Sequence, residues 1–113
     1  GDAEKAAGAF RLALDRDSNA VPALQGLAAI AIAMPRSPLY DVKLAHGLAT
    51  KACELTLYQD PKPLMLLSEV FAVTGENDKA VSLAESALRI TEMSGDGELA
   101  SKIRVKLEQF QQR

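Results

Sequence analysis

Tryptophan is absent from this chain, aromatic residues make up only 4% of it, and there is one cysteine and one histidine. Each shortage excludes something. A lone thiol, Cys53, allows no internal disulfide, so the fold must stand on packing. A structural zinc site takes four ligands, and His46 with Cys53 would supply only two, although their spacing of seven residues puts both near one helical face. A solvent-side histidine and a small buried cysteine are the expectation instead. Charge of one sign is scarce too: thirteen basic residues stand against fifteen acidic ones, leaving a net charge of -2. Such a balance offers phosphate backbones no field, and Tyr and Phe do not interleave with Arg and Lys as base-stacking platforms require. Nucleic acid is therefore not an expected partner. The longest apolar run, ALQGLAAIAIAM, falls short of the about twenty residues that cross a bilayer, so no membrane insertion by this segment is expected.

Alanine and leucine supply most of the apolar residues, which form 48% of the chain. That bias favours helices packed closely over a sheet rich in Val, Ile and Tyr. The length of 113 residues suits one small domain, able to bury roughly two thirds of the surface its unfolded chain exposes. An all-α fold is the expectation.

Self-similarity sharpens it. AAGAFRLAL from Ala6, AHGLATKAC from Ala45 and AVSLAESAL from Ala80 share the form A-x3-[FA]-x2-A-[LC], with starts 39 and 35 residues apart. Between them lie Leu24-x2-Leu27-Ala28-x2-Ala31 and Leu64-x2-Leu67-Ser68-x2-Phe71, each one stripe of a helix that needs a neighbour to cover it. Two alternating helical patterns at a period near 34 residues resemble the tetratricopeptide repeat, with W-x2-L-G-x2-Y on its first helix and A-x3-F then A on its second. The resemblance covers residues 1–91 and departs from the family at Leu24 and Leu64 (family Trp), Ala31 (Tyr), and Ala49 and Ala84 (Phe), which implies closer, less aromatic packing.

The resemblance implies a right-handed superhelix of stacked helix hairpins. Residues 1–18 would be the second helix of a repeat whose first helix lies on a longer parent chain. Residues 19–57 would be a repeat with a loop insertion at 35–39, residues 60–92 a further repeat, and 96–113 a capping helix with the stripe Leu99, Ile103, Leu107 and Phe110. Six helices are expected, near 2–16, 20–34, 41–56, 62–74, 77–92 and 97–112. Asp60-Pro61 reads as an N-cap followed by a proline where no N–H is needed, and Gly75 as a left-handed helix stop. PRSPL, from Pro35, forbids helix continuation.

No phosphate-binding glycine loop, G-x-S-x-G or H-E-x-x-H occurs. The closest carboxylate pairs, Asp15 with Asp17 and Glu76 with Asp78, sit beside expected helix ends, where capping accounts for them. Ser68 takes the family's small packing position. No enzyme activity and no cofactor are expected of this segment. By family geometry the concave wall comprises Gln25, Ala29, Ile32 and Ala33 with Lys62, Met65, Glu69, Ala72 and Val73. Family members that grip an acidic C-terminal peptide carry Lys, Arg and Asn on this wall, whereas here only Lys62 stands nearby. The resemblance thus implies a non-catalytic scaffold that binds a partner's apolar or amphipathic segment, with Met65 adaptable and Glu69 setting register. The same wall has other readings: coverage by upstream helices, self-association through the N-terminal face, or service as the structural end of a larger transferase or hydrolase.

Overall fold

Six α-helices account for the architecture of the computed structural model, which describes residues 1–112: α1 (Asp2–Arg16), α2 (Val21–Ala33), α3 (Val42–Leu55), α4 (Pro61–Val73), α5 (Asn77–Ser94) and α6 (Gly97–Gln111). No strand occurs among these residues. The last residue of the expected capping helix, Arg113, lies outside them. Helix starts follow local chemistry. The Asp41 carboxylate accepts from the Leu44 N–H at 3.0 Å, Asp60 from the Lys62 N–H at 3.1 Å, and Asp96 from the Leu99 N–H at 3.1 Å, giving α3, α4 and α6 side-chain caps. Pro61 follows its cap as the sequence predicts.

The ends follow as well. Gly75 and Gly95 take φ of 84° and 80° just past α4 and α5, a conformation glycine adopts without steric cost. With the stop at Gly95, α5 runs two residues beyond the expected 92, through Ser94. The end of α3 does the same work without glycine: Leu57 and Tyr58 sit at φ 56° and 55°, and the Tyr58 N–H donates to the Cys53 carbonyl at 2.8 Å. Such residues cost about 1–2 kcal/mol each in this region.

Each helix packs chiefly on the one before and the one after it, and α4 meets α5 most extensively. Alanine makes that closeness feasible. Ala45, Ala49 and Ala52 of α3 and Ala80, Ala84 and Ala87 of α5 are fully buried, so the repeated A-x3-A-x2-A positions are the contact seams. Ser68 joins one seam by donating to the Ala80 carbonyl at 2.7 Å, which satisfies its buried hydroxyl. The main core draws Ala28, Ala49, Cys53, Leu64, Leu67, Ala87 and Ile103 from α2 to α6. The first copy of the motif is looser: Ala6, Phe10 and Ala13 are half-buried and only Ala7 of α1 is buried. Its anchor is Phe10, whose ring covers Gly26 so closely that a Cβ there would lie 2.3 Å from it.

Candidate functional site

The matched leucine patterns turn α2 and α4 the same way, and the two helices also touch each other. Their faces away from α3 and α5 form a groove. In its first part, a cleft of about 470 Å³, Gln25 and Ala29 face Lys62, Met65 and Glu69. Pro22, Gly26, Pro61, Leu66 and Leu99 complete that lining. In its second part, about 300 Å³, Ile32 and Ala33 face Ala72 and Val73. Ala29 and Glu69 belong to both parts, so every wall residue expected from the sequence lies on this one surface.

The third wall was not expected. α6 supplies Leu99 to the first part and Lys106, Gln109 and Phe110 to the second. The Lys106 ammonium stands 3.3 Å from the Glu69 carboxylate, with the side chains 48% and 30% exposed. That ion pair forms the waist between the two clefts. It adds a second cation to Lys62 on this surface and gives Glu69 a partner within the chain. At this exposure the pair stabilises the fold by less than about 1 kcal/mol, so its main effect is to fix where positive and negative charge sit on the groove.

The wall residues differ in how much they offer. Ala72 is only 6% exposed and packs with Ala80, Ala84 and Phe110, so it belongs more to the core than to the open wall. Ile32 is half-buried against Ala31, Ala45 and Val70. The open apolar members are Val73, 47% exposed, with Ala29, Ala33 and the half-buried Met65. The titratable side chains on the groove are Lys62, Glu69 and Lys106. What the groove can do chemically is cover an apolar segment and read one opposed charge pair.

Elsewhere the reactive side chains have structural surroundings. Cys53 is fully buried, and burial first, then the charges of Asp60 and Glu54, push its thiol up to about 11, which suppresses the thiolate. His46 is exposed and meets the Phe71 ring edge-on at 5.6 Å. Among the described residues no group of three or more His, Cys, Asp or Glu is placed to hold a metal ion. The Glu76 carboxyl is held below the usual carboxylate range, first by the hydrogen bond from Lys79 at 3.0 Å, while Asp17 accepts from the Asn19 N–H at 3.0 Å in the turn after α1. No described helix is long and apolar enough to cross a membrane. No protein-family model matches this chain, and a search of curated proteins likewise finds no match.

The wall positions on α2 and α4 are the ones the family resemblance implies, and the helical period keeps those of each helix near one face. The α6 contribution was not among them. Its apolar stripe marked Leu99 and Phe110 for packing, whereas Lys106 lies beside the stripe, and only the placement of α6 against α5 brings it opposite Glu69.

Proposed function

We propose that this chain is a non-catalytic protein-interaction scaffold of tetratricopeptide type, a right-handed stack of helix hairpins whose groove along α2 and α4 takes an extended or helical segment of a partner protein. The observation that carries the reading is the convergence of all the expected wall residues on one three-sided groove. Its open members, Met65, Ala29, Ala33 and Val73, suit an apolar anchor, and methionine adapts its shape to different ones. The ion pair at the waist gives the segment a direction, since a partner's own charges must sit in register with Glu69 and Lys106. Peptides of this kind bind by burying a few anchors in such grooves.

The test begins with peptides selected from a random display library on the immobilised chain, whose affinities are then measured for the unaltered protein and for a Met65→Ala, Glu69→Ala, Val73→Ala variant. Circular dichroism verifies that the variant keeps its helices. The expected result is binding at least about tenfold weaker to the variant, roughly 1.4 kcal/mol. Equal affinity for both proteins overturns the groove assignment.

A further inference from the structure

On the opposite side of α4, between α3 and α5, lies a separate trough of about 440 Å³, and we propose that it binds a small monocarboxylic acid with an apolar body. Its floor is Leu67, Phe71 and Leu83, and its polar side chains are His46, Thr50, Tyr58, Lys79 and Ser82. The volume falls within the range of about 300–1,000 Å³ typical of small-molecule sites. Every polar side chain on this lining can donate a hydrogen bond, and none is an aspartate or glutamate. The complement of such a lining is an acceptor, and Lys79, its one fixed charge, favours an anionic acceptor.

The groups are ordered along the trough. At one end the Lys79 ammonium stands 5.3 Å from the centroid of the Phe71 ring, which His46 also meets edge-on. Thr50 and Ser82 come from the helices on either side, and Tyr58 belongs to the turn after α3. The hydroxyls are free to act. Thr56, Thr74, Thr91, Ser94 and Ser101 donate to backbone carbonyls three or four residues back, the usual local bond of a helical hydroxyl, and Ser68 donates across the α4–α5 seam. The hydroxyls of Thr50, Ser82 and Tyr58 make no hydrogen bond among the described residues.

Lys79 is shared with Glu76, whose carboxylate accepts from it at 3.0 Å and also takes the Thr74 hydroxyl at 3.3 Å. An ammonium has three donors, so two remain for a ligand carboxylate. The far end lacks a fixed charge. Its polar group is the Tyr58 phenol, a neutral donor in the turn after α3, and Lys79 stands at the other end. One acid group at Lys79 and an apolar body running over Phe71 and Leu67 satisfy both ends.

Sodium octanoate and octan-1-ol, titrated at neutral pH into isotopically labelled protein and followed by amide chemical shifts, test this directly. The expected result is saturable octanoate shifts at Thr50, Tyr58, Ser82 and Leu83, with octanol at least about fivefold weaker. Lys79→Gln should abolish that preference while Lys62→Gln, at the mouth of the other groove, leaves it unchanged. Because Lys79 is exposed, its replacement leaves the core intact, and His46→Gln gives a second, weaker loss at the same end. The proposal is overturned if octanoate gives no saturable shift up to about 10 mM, if octanol binds equally well, or if the shifts fall on Met65, Leu66 and Leu99 instead.

Discussion

The α1–α2 pair and the α4–α5 pair carry related sequence patterns and end up in different physical situations. α5 lies between α4 and α6 and buries Ala80, Ala84, Ala87 and Thr91. α1 has α2 as its main neighbour and buries Ala7 alone, leaving Leu12 at 52% exposure. The motif is the same kind of seam in both. What differs is the number of neighbours, which teaches that in such a stack the contribution of a residue is set by its position in the row at least as much as by its identity.

Breaking the better-covered pair should cost most. Leu64→Ala, at a side chain 1% exposed, is expected to lose about 3 kcal/mol in urea unfolding, and the corresponding Leu24→Ala in α2 about 2 kcal/mol. A larger loss at Leu24 would mean that α1 covers its neighbour as firmly as α5 does. Enlarging the seam sharpens the contrast further. Ala87→Leu overpacks a fully buried position and should cost about 2 kcal/mol, whereas Ala13→Leu, the matching change on half-buried α1, should stay within about 0.5 kcal/mol in the same assay. The smallest effect is kinetic and involves no substitution. Backbone amides of α1 should exchange with solvent faster than those of α4 and α5, and Cys53 should resist thiol reagents until the core opens. Equal exchange in α1 and α5 would erase the distinction.

Much of this arrangement was legible beforehand because it depends on short-range rules. Helix positions came within two residues, since Asp60, Pro61 and Gly75 act on the turn they occupy, and the packed stripes of α2 and α4 needed only the helical period. The features that escaped depend on distance in space. The Lys106 to Glu69 pair requires knowing how α6 lies across the groove. The trough requires the separation of α3 from α5, which the small alanine seams determine jointly with Phe71 and Leu67. The left-handed pair Leu57 and Tyr58 escaped for the opposite reason: their residue types argue against that backbone, and the closure onto the Cys53 carbonyl holds them there.

Groove and trough lie on opposite faces of α4, so that helix contributes Met65 and Glu69 to one and Leu67 and Phe71 to the other. Its central leucines, Leu64 and Leu67, are buried in the same cluster as Ala87 and Ile103. Occupying one face therefore bears on a rigid element shared with the second.

The contacts between helices that follow each other in sequence have a consequence for how the molecule is made. Each helix from α2 onward packs on the segment synthesised just before it, so a chain leaving the ribosome can fold in order, one hairpin at a time. Local contacts of this kind close short loops and favour rapid folding. Apolar surface left uncovered during synthesis then shrinks with each helix added.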